Sequence, residues 1–291
     1  MPAAEPVRLF MAADRMVFRH VPAVLNSALA VTSRPIELGL VTSGVSQRHR
    51  ARLARKFPTL SITFHDFAEE RMVSRLPRRF HLSPMAYARL LMPSLVDWDR
   101  YVYLDVDTLV LRDLAQLYDT PLEGRPAAAV YESNHAGFNS GVLLVDAQAW
   151  RARELGPKML AHAQALTRAS NPLKLADQAC LNAVLGPEIL PIDGSWNRLV
   201  DPIWTPPIAD PERFLADTGI VHFITGFKPW NIGRFLLPAP IIAAYRAHAD
   251  TAGLPVRPVR EAIKLAWLLR FLWLTRKTRA KTRRLSASGR C

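Results

Sequence analysis

The sequence predicts an α/β protein built on an open, largely parallel sheet. The first observation is that short apolar segments rich in β-branched residues alternate with segments of helical spacing along most of the chain. The second is that 49% of the 291 residues are hydrophobic, which is enough for the core of one large domain with an appendage. Such sheets bind ligands at the carboxyl ends of their strands, so polar residues that follow strands are the first candidates for a site.

The first third of the chain shows this alternation most clearly. Strands are predicted at 7–12, 36–42 and 60–64, and helices at 18–31 and 46–57. Pro22 falls in the first turn of the first helix, where proline is tolerated, and Ser46 is the predicted cap of the second. Asp14 follows the first strand, where it is either a binding residue or a helix cap.

The central stretch 101–113, YVYLDVDTLVLRD, is an apolar, strand-like run interrupted by Asp105 and Asp107. If the run is one extended strand, the two carboxylates point to the same side, because side chains alternate between the faces of a strand. Two like charges against apolar surroundings cost free energy unless a cation or a hydrogen-bond donor neutralises them. A divalent metal is the simplest such cation, although most isolated Asp-x-Asp pairs are solvated loop acids.

The segments around the central stretch continue the α/β pattern. A helix is predicted over 83–96, with Ser83 as its cap and Pro84 at its first position. Further strands are predicted at 127–132, 138–146 and 220–223, and further helices at 147–166 and 176–185. Residues 187–211 are rich in Pro, Asp and Trp and are predicted to form long structured loops, which often wall a site.

Most of the net charge of +13 lies in the last 33 residues. Residues 259–291 hold ten basic residues and one acidic residue, Glu261, which leaves +9 on this tail and +4 on the rest of the chain. A nucleic-acid-binding surface across the whole protein is therefore not indicated. The two cysteines, Cys180 and Cys291, have no disulfide or metal-site spacing, and the N-terminus lacks the features of a signal peptide, so we predict a protein of a reducing compartment that is not exported.

The tail predicts attachment to a membrane surface. Its segment 262–274, AIKLAWLLRFLWL, contains Lys264 and Arg270, and its apolar runs are shorter than the ~20 residues needed to span a bilayer. Three aromatic residues followed by a basic cluster are typical of a helix that lies in the interface beside anionic lipid. They are Trp267, Phe271 and Trp273. The alternative is a helix packed against the preceding domain. We therefore divide the chain into a domain, 1–258, and a basic amphipathic tail, 259–291, and predict a cytoplasmic protein that is peripheral on the inner face of the membrane.

Five short motifs occur in a fixed order: AAD after the first strand, YLDVDTLV in the middle of the chain, then FNSGVLLVD, ADQACLN and HFITGFKPW. This ordered set covers residues 7–249 and resembles the family 8 glycosyltransferases. The resemblance implies the GT-A fold, a Rossmann-like, mostly parallel central sheet flanked by helices. The chain is similar in this respect to the bacterial lipopolysaccharide galactosyl- and glucosyltransferases of that family.

The resemblance implies a metal site formed by Asp105, Asp107 and His222. Carboxylate, imidazole and phosphate oxygen together suit Mn²⁺, with Mg²⁺ as the other candidate. Taken alone, His222 would more often be a hydrogen-bonded core histidine than a metal ligand. Its position before Gly226 and Lys228 favours the ligand role.

A UDP-hexose donor is also implied. Its binding residues would be the two aspartates together with Ala12, Asp14, Arg89, Glu132, Asn139, Gly226 and Lys228. Gly226 would let the backbone approach the diphosphate, Lys228 would place positive charge on the leaving group, and the Asp14 carboxylate suits an N–H of uracil. Simpler alternatives are an exposed loop lysine for Lys228 and a surface i, i+4 contact for Arg89.

The family resemblance implies transfer with retention at the anomeric carbon, with Gln178 and Asp177 as the catalytic residues. An amide is a poor nucleophile, so a same-face displacement is favoured in which the carbonyl oxygen of Gln178 stabilises the cationic transition state. Asn139, Asp177 and Glu132 also have structural alternatives as a turn residue, a helix cap and a strand-end acid. The acceptor is expected to be a glycan, lipid-linked or lipopolysaccharide, and nucleic acid is not expected as a partner.

Two other functions fit parts of the sequence. YLDVDTLV also fits the first motif of haloacid-dehalogenase-type phosphatases, in which Asp105 would be the nucleophile and Asp107 the general acid/base. That motif normally follows the first strand of its fold, whereas here it lies more than a third of the way along the chain. The other alternative is a membrane-interaction protein whose sugar-nucleotide-binding domain is not catalytic.

Overall fold

The computed structural model describes residues 5–67, 83–132, 137–168 and 177–254. The tail 259–291, with its predicted amphipathic helix, lies outside the described residues. Among the helices that are described, none combines the length and the apolar character needed to cross a bilayer.

Within the described residues, ten strands form two sheets. They are β1 Val7–Asp14, β2 Ile36–Ser43, β3 Ser61–Asp66, β4 Arg100–Leu104, β5 Thr108–Val110, β6 Ala127–Glu132, β7 Gly137–Asp146, β8 Ile189–Pro191, β9 Arg198–Val200 and β10 Ile220–Phe223. The large sheet has the order β3-β2-β1-β4-β7-β6-β8. Only β7 in this sheet pairs antiparallel with its neighbours, so the prediction of a mostly parallel central sheet is confirmed.

The small sheet has the order β5-β10-β9 and corrects the prediction for the central stretch. The predicted single strand over 101–113 is wrong, because β4 ends at Leu104 and β5 begins only at Thr108. The chain crosses from one sheet to the other between them: the backbone N–H of Asp105 donates to Gly141 in β7 (2.9 Å), while the carbonyl of Asp107 accepts from Phe223 in β10 (2.9 Å). The two aspartates therefore lie on a turn between sheets and not on one face of a strand.

The α-helices of the described chain are α1 Val21–Val31, α2 Gln47–Lys56, α3 Ala88–Leu91, α4 Leu114–Tyr118, α5 Ala147–Ala152, α6 Leu155–Arg168, α7 Asp177–Leu185, α8 Pro211–Ala216 and α9 Ala239–Thr251. Short 3-10 segments occur at Phe18–His20, Pro84–Tyr87, Met92–Ser94, Gly186–Glu188, Gly194–Asn197 and Ile232–Leu236. Pro22 lies in the first turn of α1, as predicted. Ser46 precedes α2, but its hydroxyl contacts Nδ1 of His49 (2.7 Å) and caps no backbone N–H.

Two predicted helices are broken in the structure. The region 83–96 forms a 3-10 turn, the single-turn helix α3 and a second 3-10 turn that contains Pro93, although Ser83 does cap the first turn by accepting from Met85 N at 3.3 Å. The predicted helix over 147–166 is divided into α5 and α6 by Glu154, whose φ of 52° is left-handed. The predicted loop region 187–211 contains the three-residue strands β8 and β9, which the sequence did not predict.

The large sheet is covered on both faces by apolar cores. Leu9 and Met11 of β1 face one core, which also takes Leu53 of α2. Phe10, between them, faces the other core, which takes Met159 of α6. This alternation follows from the period of two in a strand. A third core joins the small sheet to α9.

Candidate active site

Asp105, Asp107 and His222 come together where the two sheets meet. Each offers one ligand atom, and these atoms lie within 4.8 Å of one another. His222 pairs with Thr108 across the small sheet, which places its imidazole beside the turn that carries the aspartates. Its Nε2 is 3.3 Å from Asp107 Oδ1 and 3.8 Å from Asp105 Oδ2. The structure thus brings together the three residues predicted from the sequence as metal ligands.

This arrangement needs a glycine at position 141 on β7. A Cβ there would lie 2.1 Å from Cε1 of His222 and 2.8 Å from Oδ2 of Asp105. Non-bonded atoms do not approach a Cβ so closely, so any side chain at Gly141 would displace the imidazole. The carbonyl of Gly141 also accepts from Asp105 N, which fixes the backbone of the turn against β7.

Asp105 is held at both oxygens by a buried arginine. Arg89 donates from Nη2 to Oδ1 (2.9 Å) and from Nη1 to Oδ2 (3.1 Å), and Tyr103 donates its hydroxyl to Oδ1 (2.6 Å). Burial raises the pKa of Asp105 above its ordinary value, while Arg89 opposes this shift. Because Arg89 is only 7% exposed, the alternative of a surface i, i+4 contact is wrong.

Arg89 also connects Asp105 to Asp177. Its Nε lies 3.0 Å from Oδ2 of Asp177, and its Nη1 donates to the carbonyl of Ser140 (2.6 Å). The Ser140 hydroxyl donates to the same Asp177 oxygen (2.9 Å). Burial lowers the pKa of Arg89, but the charges of Asp105 and Asp177 outweigh burial and hold this pKa above its ordinary value. Asp177, the first residue of α7, therefore serves as a buried counter-charge to the guanidinium.

Asp107 is paired with Lys228. The Nζ of Lys228 donates to Oδ2 of Asp107 and to the carbonyl of Phe223, at the end of β10. Burial opposes ionisation of Asp107, but the positive charge of Lys228 holds the pKa of this carboxyl well below its usual range. With 18% of its side chain exposed, Lys228 is not the exposed loop lysine of the simpler alternative.

A chain of amide side chains links His222 to Gln178. Gly141 N donates to Asn139 Oδ1 (2.9 Å), so Oδ1 is the acceptor of Asn139, and the Nδ2 of Asn197 donates to this same atom (2.8 Å). That leaves Oδ1 of Asn197 to accept from Nδ1 of His222 (3.0 Å). At the other end, Nδ2 of Asn139 donates to Oε1 of Gln178 (3.3 Å).

Asn197 is a site residue that the sequence did not predict. It is the last residue of the 3-10 segment Gly194–Asn197 and is 3% exposed. The only signal toward it was the expectation that the loops of 187–211 form a site wall. By accepting from Nδ1, Asn197 keeps a proton on that nitrogen, so Nε2, which faces the two carboxylates, is the nitrogen that would bind a metal.

The loop between His222 and Lys228 has its left-handed residue at Thr225 and not at Gly226. Thr225, with a φ of 59°, is the left-handed residue of this loop, and its hydroxyl donates to Oδ2 of Asp201. A Cβ at Gly226 would meet no atom within 4 Å, so the described structure itself does not require a glycine there. Gly226 is exposed beside Lys228, and its approach to a diphosphate stays a prediction.

Ala12, Asp14 and Glu132 lie at or near the carboxyl ends of their strands. Ala12 is buried in β1, and Asp14 is the last residue of that strand, which runs two residues further than predicted. Asp14 Oδ1 accepts from the backbone N–H of Met16 (2.8 Å) and of Val17 (3.1 Å), so it caps the following turn, and its contact with uracil stays a prediction. Glu132 ends β6 in a partly buried position, and its hydroxyl-binding role also stays a prediction.

The donor set of the cluster fits a divalent cation. Asp105 and Asp107 offer hard carboxylate oxygens, and His222 offers an imidazole nitrogen whose tautomer is fixed. Carboxylates suit Mg²⁺ and Mn²⁺, and an added imidazole is typical of sites that accept transition metals. Asp105 is also paired with Arg89, and Asp107 with Lys228, so each carboxylate already has a positively charged partner beside it.

Comparison with known proteins decides the family. Residues 8–232 match the sequence model of glycosyl transferase family 8. The chain belongs to glycosyltransferase family 8. Family 8 membership replaces the phosphatase interpretation of Asp105, whose two oxygens are in any case held by Arg89 and Tyr103.

Among curated relatives, glycosyltransferase GlyF of Streptococcus pneumoniae is 26% identical over 231 residues, 77% of this chain and 57% of GlyF. General stress protein A of Bacillus subtilis is 25% identical over 258 residues, 78% of this chain and 88% of that protein. The match therefore spans little more than half the length of GlyF, and the larger part of general stress protein A.

Solved structures show the same fold. The galactosyltransferase LgtC, crystallised with donor and acceptor sugar analogues, superposes with a TM-score of 0.69 at 21% identity, covering 89% of this chain and 99% of LgtC. Glycosyltransferase GlyE of S. pneumoniae superposes with a TM-score of 0.63 at 18% identity, covering 91% of this chain and 64% of GlyE. The predicted GT-A architecture is thus confirmed for this family 8 chain.

Proposed function

We propose that this protein transfers a hexose from a UDP-hexose to a glycan acceptor, with retention at the anomeric carbon and with dependence on a divalent metal. The observation that carries the proposal is the convergence of Asp105, Asp107 and His222 at the junction of two sheets in a family 8 chain. The similar LgtC structure holds donor and acceptor sugar analogues, which supports a sugar donor and a saccharide acceptor here.

The metal would be Mn²⁺, or Mg²⁺ in its place, held by the two aspartates and His222. Such an ion, when bound, supplies a Lewis acid that offsets the negative charge of the donor diphosphate. The protein orients the ligands in advance: Arg89 and Tyr103 hold the Asp105 carboxylate, and Asn197 holds the imidazole. Ligands that are fixed before binding lose little conformational freedom when they bind.

The donor would lie along the carboxyl edge of the sheet. Ala12 and Asp14 would contact the uridine, and Asn139 and Glu132 would contact hydroxyls of the hexose. Gly226 and Lys228 would contact the diphosphate, where the ammonium of Lys228 offsets the charge that develops as the sugar departs. Lys228 lies beside Asp107, a proposed ligand of the metal that would hold the diphosphate.

The reaction would proceed on one face of the hexose. Retaining glycosidases use two carboxyl groups about 5 Å apart, one of them a nucleophile. At the corresponding place this chain has Gln178, whose neutral amide is a weak nucleophile. The bond from the anomeric carbon to the phosphate oxygen would break while the acceptor oxygen bonds to the same carbon from the same side. The acceptor proton would pass to the departing phosphate, and Oε1 of Gln178 would stabilise the cationic carbon.

The acceptor would be a lipid-linked glycan or lipopolysaccharide. This part of the proposal depends on the basic amphipathic character of 259–291, which favours a place at an anionic membrane surface. An enzyme held there meets lipid-carried acceptors at high local concentration. We likewise propose that 1–258 is the catalytic domain and 259–291 the attachment segment.

The test is a screen of UDP-hexoses with Mn²⁺ that measures UDP release. Wild type should bind one of these donors and hydrolyse it slowly even without acceptor. Asp107→Ala should release UDP about a hundredfold more slowly or worse, because a metal ligand supports several kcal/mol of charge stabilisation. The matched control is Asp250→Ala, at an exposed position of α9, which should retain wild-type activity.

Each result has a distinct meaning. Gln178→Ala should lower kcat with little change in KM, since it acts on the transition state. Donor binding with no UDP release and no transfer to any glycan would favour the alternative of a non-catalytic sugar-nucleotide-binding domain. A wild type that binds no UDP-hexose in the presence of Mn²⁺ would refute the proposal.

A further inference from the structure

Helix α2 carries a basic surface that the proposed reaction does not use. Five of its ten residues are Arg or Lys, and none is acidic. Arg50 points inward, where it donates to Thr42 Oγ1 (2.6 Å) and pairs with Asp66. The other four basic side chains are exposed and form what we call the α2 basic face. They are Arg48, Arg52, Arg55 and Lys56.

Arg55 and Lys56 lie in the last turn of α2, where positive charge is favourable, but Arg48 and Arg52 do not stabilise the helix. Arg48 and Arg52 are four residues apart, as are Arg52 and Lys56, so like charges lie side by side and repel one another. Within the described residues, Arg48, Arg52 and Arg55 form no ion pair with an acidic side chain. The helix packs on the core through Leu53 instead. A cluster of like charges that costs the fold free energy suggests an external anionic partner.

The α2 basic face lies beside the point where the chain enters the tail. Lys56, the last residue of α2, donates from Nζ to the carbonyl of Thr251 (3.0 Å), the last residue of α9. The described chain ends three residues later at Leu254, and the basic segment 259–291 follows in sequence. Because α2 connects the parallel strands β2 and β3, it runs from the carboxyl edge of the sheet to the amino edge. Its last residue, Lys56, therefore lies toward the amino edge.

We propose that the α2 basic face is a docking surface for an anionic lipid bilayer. The tail carries net positive charge, so it would be repelled by this face and is not a suitable cover for it. A bilayer with anionic headgroups would attract both, and each Lys or Arg within a Debye length of it strengthens binding. The aromatic residues of 262–274 favour lipid over nucleic acid, which offers no apolar layer. This inference rests on the proposed membrane location, which it extends to a surface of the folded domain.

The test measures binding of the full chain to vesicles of phosphatidylcholine with and without phosphatidylglycerol. The variant is Arg52→Gln/Arg55→Gln. The matched control is Lys158→Gln/Arg213→Gln, which removes the same charge from exposed positions. Lys158 lies on α6, and the next two residues of that helix, Met159 and Leu160, pack on the opposite face of the large sheet from α2. The α2 variant should bind anionic vesicles about tenfold more weakly, and the control within about twofold of wild type.

Three outcomes would overturn the proposal. Equal losses in both variants would mean that only net charge matters, and no loss in either would leave the tail as the sole attachment. A loss of binding to duplex DNA at equal salt, with vesicle binding unchanged, would identify nucleic acid as the partner. UDP release from the donor without vesicles should be the same in both variants as in wild type, so failure of the proposed activity would be seen separately. The thermal midpoint checks folding and should change little, because the repulsion removed at Arg52 offsets the favourable charge lost from the last turn at Arg55.

Discussion

Asn197 accepts a hydrogen bond from Nδ1 of His222 over 3.0 Å, and this contact sets which imidazole nitrogen faces the aspartates. Asn197→Ala should therefore weaken Mn²⁺ binding about 10- to 100-fold, the usual effect of losing a partner that orients a metal-binding histidine. Titration calorimetry with Mn²⁺ measures it. Asn26→Ala is the control, because Asn26 bonds to His248 in another part of the structure (3.0 Å). Unchanged affinity in Asn197→Ala would mean that packing alone orients His222.

Gly141→Ala tests the space beside the same imidazole. The new methyl group would lie 2.1 Å from Cε1 of His222, so the ring must move away from the two carboxylates. We expect loss of measurable Mn²⁺ binding and a loss of stability of about 1–3 kcal/mol from overpacking. Electron paramagnetic resonance of free Mn²⁺ and urea unfolding report the two effects. Gly186→Ala, where a Cβ meets no atom within 4 Å, should change neither. A Gly141→Ala protein that binds Mn²⁺ normally would refute the interpretation that His222 binds the metal from this position.

Arg89 tests the buried charges behind the site. Arg89→Gln leaves the Asp105 and Asp177 carboxylates without their shared counter-ion, so we expect a loss of about 3–5 kcal/mol in the free energy of unfolding. Urea denaturation at neutral pH measures it. Arg213→Gln, at a side chain 81% exposed, should change stability by less than about 0.5 kcal/mol. Equal stabilities of the two variants would show that Arg89 is not an essential counter-charge.

The sequence predicted most strands because they are long enough to show their patterns. β1, β2 and β7 span eight to ten residues and are mostly apolar. β9 has three residues, too few to show a period of two, yet it carries the chain from Asn197 into the small sheet. The junction between β4 and β5 was missed for a related reason: both segments are apolar, and only their pairing with different sheets separates them.

The sequence motifs predicted the metal-binding residues of the site but not the residues that hold them in place. His222 is far from Asp105 and Asp107 in sequence, and only the ordered motifs of a family indicated that the three meet. The functions of Arg89 and Asn197 as supports depend on burial and on which atom faces which, and neither is encoded in local sequence. The exposed or buried state of an arginine is a property of the whole fold.

His20 gives a pH test that is independent of the site's carboxylates. It is buried, stacks on Trp230 with ring centres 4.0 Å apart, and accepts at Nε2 from Nε of Arg19 (3.1 Å). Burial, with a smaller contribution from Arg19, lowers the pKa of His20 from 6.5 to about 3. Between those values the unfolded chain binds a proton that the folded chain excludes. Stability from His20 is thus complete above pH 6.5 and falls as the pH drops toward 3, by up to about 1.4 kcal/mol per unit.

His20→Phe should keep the stack on Trp230 and remove this titration. Urea unfolding between pH 4.5 and pH 7, at roughly half-unit steps, should give the variant a slope of stability against pH that is shallower by about 1 kcal/mol per unit. His49→Phe, which removes a histidine from an exposed position on α2, should keep the wild-type slope. If His20→Phe and wild type lose stability in parallel as the pH falls, the proton is not excluded by burial at His20, and the acid sensitivity of the fold belongs to other groups.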